Sequence, residues 1–223
     1  MRVLALDTTG AFGSLALVED RVVLEEVPLH SPEGFSTILF DRVRELLARH
    51  DWSVASVDCF AAASGPGSFT GVRVGLTAVK ALGEAAGRAA LGVSNLQALA
   101  ACGSTEMRAV VIDARRGEVY GAVYDRELRS VREEAVMPFT DWIASLPNGV
   151  TEVVVTDAAT FRAGLPKELT VTERRVVAGA VGRIASTRLL QGATGDPAAI
   201  DANYVRRADA EMNWKDEPSL RTR

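Results

Sequence analysis

The first hundred residues alternate short apolar runs with stretches of helical periodicity. Residues 2–7 and 13–19 are apolar on either side of a turn at 8–12, which predicts a β-hairpin, and residues 21–29 supply a third strand. The elements expected after the hairpin are a helix at 32–50, a strand at 57–64, a helix at 71–86, a strand at 90–93 and a helix at 95–101. Three sequential strands followed by alternating helices and strands predict an α/β fold with a mixed sheet flanked by helices.

The same pattern begins again in the second half of the chain. An offset of 106 residues aligns 3–7 with 109–113 and places Asp7 on Asp113. In both copies an apolar strand ends in an aspartate, and a short turn and a second strand follow. The second copy continues with extended segments at 128–136 and 153–155 and a helix at 176–190. We interpret the pattern as a duplicated domain, although two unrelated hairpins with a common strand–aspartate–turn pattern would look similar.

The boundary between the two copies is expected near 101–106, where Gly103, Ser104 and Thr105 interrupt the apolar pattern. The first lobe is predicted to comprise residues 1–101, completed by the C-terminal segment 196–223. The apolar anchors of that segment are Tyr204, Val205 and Trp214. Residues 102–195 are predicted to form the second lobe, a degenerate repeat.

The first two predicted helices are apolar over more of their circumference than a single buried face needs. In the helix at 71–86 the apolar residues spread over roughly 220° of the helical wheel, whereas a surface helix needs a stripe of about 100°. The apolar arc of the helix at 32–50 is also wide, at about 140°. Either the helices form a protein–protein interface, or they pack on the sheet and on each other.

Composition narrows the possible functions. The chain has 223 residues, of which 48% are hydrophobic and 24% charged, and its formal net charge is −4. This is enough apolar material for a sizeable core, and it disfavours a disordered chain or a strongly basic nucleic-acid-binding protein. No apolar run reaches the ~18 residues of a membrane-spanning helix, and the N-terminus has no signal-peptide pattern, so we expect a cytoplasmic protein.

A glycine-rich block, GPGSFTGVR at 65–73, lies between a predicted strand and a predicted helix. Backbone N–H groups in such a turn can hold an anion, but the block matches neither a P-loop nor a dinucleotide-binding fingerprint. A tight turn in which glycine adopts positive φ explains the same residues. We favour the turn.

Two strand ends carry carboxylates that suit phosphate chemistry. Asp7, followed by Thr8 and Thr9, could hold a hydrated metal ion or contact phosphate, and Asp113 occupies the equivalent place in the second copy. Each aspartate could equally cap its own turn. A nucleotide site of this layout also needs a glycine-rich turn in the second copy, so that the backbone can come close to the nucleotide. Residues 151–163 contain no glycine.

The sequence offers few residues for metal or nucleophilic catalysis. His30 and His50 are the only histidines, and they share no metal-ligand spacing. No GxSxG nucleophile elbow accompanies them. We therefore assign no catalytic residue and no metal site.

Several blocks together resemble the bacterial TsaB family, also called YeaZ. The most specific are GPGSFTGVR at 65–73 and IDARRGEVY at 112–120. The other matching blocks are LALDTT at 4–9, HS at 30–31, GVSNL at 92–96 and YVR at 204–206. The resemblance covers nearly the whole chain, from residue 3 to about residue 206.

The resemblance implies a duplicated actin/Hsp70/sugar-kinase-like fold of the RNase H-like type, with a mixed sheet flanked by helices in each lobe. It also implies a non-catalytic subunit that binds the related catalytic subunit TsaD. Together with the ATPase TsaE, these proteins transfer a threonylcarbamoyl group to the adenosine next to the tRNA anticodon. The subunit would meet tRNA through the complex, and it needs no cofactor of its own because ATP and Mg²⁺ act mainly through the partner subunits.

In the family, the first two helices of the N-terminal lobe form the contact with TsaD, and a similar contact forms homodimers. Carried over to this chain, the resemblance implies an interface made by Phe35, Leu39, Phe40, Val43, Leu46, Leu47, Val72, Leu76, Val79 and Lys80.

The alternative is an ATP-binding phosphotransferase or ATPase of the same fold that uses Asp7 and Thr9. Its nucleotide cleft would include Asp7, Thr8, Thr9 and Asp113. The turn around Asp157 departs from the family pattern, since relatives often have a glycine there, and this weakens the nucleotide interpretation. A metallopeptidase is disfavoured by the small number of possible metal ligands.

Overall fold

Two five-stranded mixed sheets form the framework of the chain, of which the structure, a computed structural model, describes residues 1–206. The first sheet consists of β1 (Arg2–Asp7), β2 (Gly13–Glu19), β3 (Val22–Leu29), β4 (Cys59–Ala63) and β5 (Ala89–Val93). The second consists of β6 (Met107–Arg115), β7 (Glu118–Asp125), β8 (Ser130–Pro138), β9 (Glu152–Val155) and β10 (Thr170–Glu173). The strand orders β3-β2-β1-β4-β5 and β8-β7-β6-β9-β10 are equivalent, and in both sheets the first three strands are antiparallel and the last two run parallel to the central one. This confirms the predicted α/β duplication.

Helices form layers above, between and below the sheets. The helices are α1 (Leu39–Arg49), α2 (Phe69–Ala86), α3 (Asn95–Ala100), α4 (Phe139–Ala144), α5 (Ala158–Phe161) and α6 (Ala178–Leu190). In the first sheet, alternate residues of each central strand face opposite layers: Leu4 and Leu6 pack with α1 and α2, whereas Val3 and Ala5 pack with α6. None of the described helices is long and apolar enough to cross a membrane.

The two lobes exchange one helix each. The helix α3 follows the first sheet in the chain but packs on β6, β7 and β9, whereas α6 follows the second sheet and packs on the first. The two helices also contact each other, so a single core cluster extends from Val3 in one sheet to Val110 in the other. The predicted division assigns residues 102–195, and with them α6, to the second lobe, whereas the apolar side chains of α6 are buried against the first sheet.

The outer layers differ between the lobes. The long helices α1 and α2 cover the first sheet, and the short helices α4 and α5 cover the equivalent face of the second. A cap at each end explains the length of α2: the Ser68 hydroxyl accepts a hydrogen bond from the N–H of Gly71 at its start, and Gly87, with φ of 61°, ends it in the left-handed conformation.

The predicted helix at 32–50 begins seven residues late, at Leu39. Gly34 has a φ of 95°, which a right-handed helix cannot accommodate, and residues Phe35–Thr37 form only a 3₁₀ turn. The elements α4, α5 and β10 were not predicted, because each is at most six residues long and shows too little periodicity to identify.

The segment 196–206 returns across both lobes. A 3₁₀ turn at Pro197–Ala199 packs on α2, and Ile200 enters the core beneath it. The Asn203 N–H donates to the Ser64 carbonyl in the first lobe at 2.7 Å, and its side-chain amide donates to Glu134 in the second at 2.6 Å. The rest of the predicted completing segment, including Trp214, lies outside the described residues.

Candidate interaction face and interlobe cleft

The two outer helices of the first lobe use most of their apolar residues to pack on their own sheet. Seven residues of the predicted interface are buried in this core: Leu39, Val43, Leu46, Leu47, Val72, Leu76 and Val79. In the single chain these side chains are buried against the first sheet, although Leu39 also lines the groove described next, so a partner contact through them stays a prediction. The wide apolar arc of α2 thus serves mainly the interior.

A groove remains open on the solvent side of these helices. It has a volume of about 470 Å³ and runs between the start of α1 and the outer side of α2, with Leu39 among its lining residues. Phe40 and Phe69 line it while 55% and 50% exposed. Of the other predicted interface residues, Phe35 and Lys80 are half-buried. We call the surface formed by Phe40, Phe69, Arg73, Val74, Thr77 and Ala81 the outer face.

Two aromatic rings and a guanidinium group contact one another at one end of the outer face. The Arg73 guanidinium lies over the Phe69 ring at 3.6 Å, and its Nε donates to the Tyr204 hydroxyl at 3.3 Å. The Phe69 and Tyr204 rings are 5.8 Å apart. The sequence contained one signal for this cluster, the one-turn spacing of Phe69 and Arg73, whereas the approach of Tyr204 depends on the long return of the chain.

The glycine-rich block packs the start of α2 onto the first hairpin turn. A methyl group at Gly71 would overlap the Thr8 carbonyl oxygen, and one at Gly67 would lie 2.7 Å from that of Thr9. The Ser68 N–H donates to the Thr9 carbonyl at 2.7 Å. These glycines therefore permit close backbone contact, in agreement with the turn interpretation of the block.

A cleft between the lobes contains Asp7 and Thr9 at its floor. The Thr9 N–H and hydroxyl both donate to Asp7 Oδ1, at 2.9 and 2.7 Å, and the Asn95 side-chain amide donates to the Thr9 hydroxyl. Burial raises the pKa of the Asp7 carboxyl, and the hydrogen bonds from Thr9 oppose this only in part. The cavity here has a volume of about 230 Å³.

Two predicted members of a nucleotide cleft lie elsewhere. The Thr8 hydroxyl donates to the Gly71 carbonyl at 2.7 Å and is part of the helix packing. Asp113 accepts a hydrogen bond from the Arg115 N–H at 2.8 Å, so it caps its own turn, and it does not line the cavity. Asp7 therefore lines the cavity and Asp113 does not, and the use of both carboxylates by one nucleotide site stays a prediction.

Both histidines have local partners. His30 stacks on Phe12 with ring centroids 5.2 Å apart, and His50 is 2.7 Å from Glu25. Within residues 1–206, no three His, Cys, Asp or Glu side chains are close enough together to hold a metal ion.

Comparison with known proteins gives consistent relatives. A family model described as TsaD, tRNA N6-adenosine threonylcarbamoyltransferase, matches residues 26–191. The tRNA threonylcarbamoyladenosine biosynthesis protein TsaB is 31% identical over 151 residues in Bacillus subtilis and 38% identical over 132 residues in Escherichia coli. The matched segments are 66% and 57% of this chain, and they span 66% and 56% of the two relatives.

Solved structures agree with the sequence relatives. YeaZ from Pseudomonas aeruginosa superimposes with a TM-score of 0.77 at 26% identity, covering 91% of this chain and 99% of that chain. The ethanolamine utilization protein EutJ from Carboxydothermus hydrogenoformans has a TM-score of 0.56 at 13% identity, covering 82% and 90% of the two chains, and its likeness concerns the fold alone. With the two equivalent sheets, these matches give the chain a duplicated actin-like fold.

Proposed function

Because the chain belongs to the TsaB (YeaZ) family, we propose that it is a non-catalytic subunit of the bacterial complex that transfers a threonylcarbamoyl group to adenosine next to the tRNA anticodon. In this proposal it binds and stabilises a TsaD-like catalytic subunit. A TsaE-like ATPase completes the assembly, and the chain meets tRNA only through the complex.

The outer face is the observation that carries the proposal. Phe40, Phe69 and Tyr204 each expose about half of their surface to water, at 55%, 50% and 49%. Aromatic and arginine side chains dominate the binding energy of protein interfaces, and a groove lined by them suits a helix of a partner. The caps of α2 and the contacts of Phe69 with Arg73 hold this surface in place before a partner arrives.

We expect one face to serve two competing assemblies. A second copy of this chain can present the same outer face, which is the geometry of a twofold homodimer. A TsaD-like subunit that uses the same groove would displace that copy. Addition of the catalytic subunit should therefore convert homodimer into heterodimer.

The test is binding of the purified chain to its cognate TsaD-like protein, followed by calorimetry and light scattering. We expect a stable complex, and we expect Phe40→Glu and Phe69→Glu each to weaken it by about tenfold or more, because a charge is then buried in the contact. Leu190→Glu is the matched control, since Leu190 is 66% exposed at the end of α6, away from the groove. Absence of a complex with the wild-type chain, with or without the ATPase and nucleotide, contradicts the proposal.

A phosphotransferase remains the second candidate on the strength of Asp7 and Thr9 at the cleft floor. The geometry of the cleft is less favourable for this function, because the Thr9 hydroxyl already donates to Asp7, and Asp113 accepts the Arg115 N–H in its own turn. The cavity of about 230 Å³ is also below the roughly 300–1,000 Å³ of ordinary ligand pockets. Calorimetry with ATP and Mg²⁺ separates the two functions: tight binding and turnover lost in Asp7→Asn support the phosphotransferase.

A further inference from the structure

The floor of the interlobe cleft holds two oxygen acceptors that lack a donor. Both hydrogen bonds from Thr9 go to Asp7 Oδ1, and among the described residues no donor reaches Oδ2. Asn95 donates its amide to the Pro66 carbonyl at 3.1 Å and to the Thr9 hydroxyl, which leaves its Oδ1 buried and unpaired within residues 1–206. The Thr9 hydroxyl is hydrogen-bonded to both Asp7 and Asn95, so these two side chains, which carry the free acceptors, are neighbours. Asn95 Oδ1 is the buried, unpaired atom of the two, and such atoms are uncommon and costly, so this oxygen calls for a donor, with Asp7 Oδ2 as a second acceptor on a neighbouring side chain.

The charge at this floor is also uncompensated. Asp7 and Asn95 are each only 5% exposed, and the charge of another acid, Glu26, adds to the burial that raises the pKa of Asp7. Among the described residues that line the cavity, Arg175 is the basic one, and it is paired with Glu173 at 2.8 Å. A buried carboxylate with no cation beside it favours a positively charged donor over a neutral one.

The walls of the cavity restrict the rest of the ligand. Leu99, Ile112 and Val177 line it with apolar side chains. Its volume of about 230 Å³ equals that of roughly seven or eight water molecules at ~30 Å³ each. The space thus suits a compact aliphatic group rather than a nucleotide.

We propose that the interlobe cleft binds a small primary ammonium compound with a short aliphatic group. The ammonium donates to Asp7 Oδ2 and Asn95 Oδ1, for which its three N–H donors suffice, and the aliphatic part contacts Leu99, Ile112 and Val177. A simple amine and an α-amino acid share this chemistry, and the carboxylate of the amino acid would have Arg175 as its cation. The inference does not depend on the proposed binding of a TsaD-like subunit, and each can fail without the other.

The test is a titration of the full-length chain, followed by calorimetry and NMR, with isobutylammonium and with its neutral analogue isobutanol. We expect saturable binding of isobutylammonium at millimolar concentration and at least tenfold weaker binding of isobutanol. Asp7→Asn should weaken isobutylammonium binding by about tenfold or more, because it removes a charge-assisted hydrogen bond. Asp113→Asn is the matched control, since this residue is the counterpart of Asp7 in the second lobe and lies outside the cavity; binding should be unchanged.

Two further arms complete the test. Titration with L-valine identifies the source of the ammonium group: tighter binding than isobutylammonium indicates an amino acid, equal or weaker binding indicates a simple amine, and both support the site. Ile112→Phe fills the cavity from the second lobe and leaves Asp7 intact, so it should abolish binding even if Asp7→Asn fails to fold. The inference is overturned if isobutylammonium does not bind, if isobutanol binds equally well, or if Ile112→Phe retains binding.

Discussion

The two lobes have equivalent sheets but very different outer layers. In the first lobe α1 and α2 are 11 and 18 residues long, whereas α4 and α5, on the same face of the second sheet, have six and four. The short helices suffice to cover a sheet: Trp142 is fully buried, and Phe139 packs on Phe161 with ring centroids 5.3 Å apart. The length of α2 therefore exceeds what a core needs, and the surplus exposes Phe69 and Arg73 on a surface. The comparison indicates that the two copies share the same sheet, whereas the helices α1 and α2 of the first lobe also form a solvent-facing surface in addition to covering their sheet.

The strand-end aspartates show the same divergence on a smaller scale. Asp7 is buried in the cleft and bonded to Thr9, whereas Asp113, its counterpart, caps an exposed turn through the Arg115 N–H. The difference follows from the helices around each strand end, since Gly71 and Gly75 let α2 approach Thr8, the residue that follows Asp7, closely.

The largest expected effect separates the two sides of α2. Leu76→Asp should lower the free energy of unfolding by about 4 kcal/mol or more, because it removes a core side chain and buries a charge. Thr77→Asp, one residue further on the exposed side, should change stability by no more than about 0.5 kcal/mol. Urea unfolding measures both. If Leu76→Asp keeps its urea midpoint but loses the partner, Leu76 lies on the contact surface and our division of the helix is incorrect.

A smaller effect compares close packing in the two lobes. Gly71→Ala forces a methyl group against the Thr8 backbone, whereas Gly121→Ala places one 2.6 Å from the Trp142 ring. Both should cost about 1–3 kcal/mol, with Gly71→Ala nearer the upper value because a backbone oxygen cannot rotate away. Only Gly71→Ala should also weaken partner binding, since it displaces the start of α2. Thermal unfolding and calorimetry test the pair, and equal losses of affinity would contradict the assignment of the face to one lobe.

The smallest effects are expected in pH dependence, with opposite signs in the two lobes. Burial raises the pKa of Asp7 in the folded state above the ordinary aspartate pKa of 3.8. The stability of the wild type, compared with that of Asp7→Asn, therefore falls as the pH rises from 3.8 through the folded-state pKa. Hydrogen bonds from Thr160 and the Ala159 N–H lower the pKa of Asp157, which therefore stabilises the fold above 3.8 and loses this effect as pH falls through its folded-state pKa. Melting temperatures between about pH 3 and pH 7 should show Asp7→Asn above the wild type and Asp157→Asn below it at neutral pH. The same sign for both variants contradicts this description of the two strand ends.

The strands and their duplication could be predicted because buried strands are continuous apolar runs and Asp7 and Asp113 mark equivalent ends. The outer face could not, since an apolar arc of roughly 220° on α2 includes both core and groove residues, and periodicity does not say which side meets the sheet. Gly34 delayed the start of the predicted helix through its positive φ, a property that depends on the surrounding turn. The exchange of α3 and α6 and the contact of Tyr204 with Phe69 join residues far apart in the chain, which only tertiary packing decides.

Hydrogen exchange of the complex tests most directly whether the outer face of the first lobe receives the catalytic partner. Amide exchange is compared by mass spectrometry for the free chain and for the chain with its cognate TsaD-like protein. We predict added protection in residues 35–49 and 69–86 and in the segment around Tyr204, with no change in residues 139–161. Protection confined to α4 and α5, with α1 and α2 unchanged, would contradict binding of the partner at the outer face.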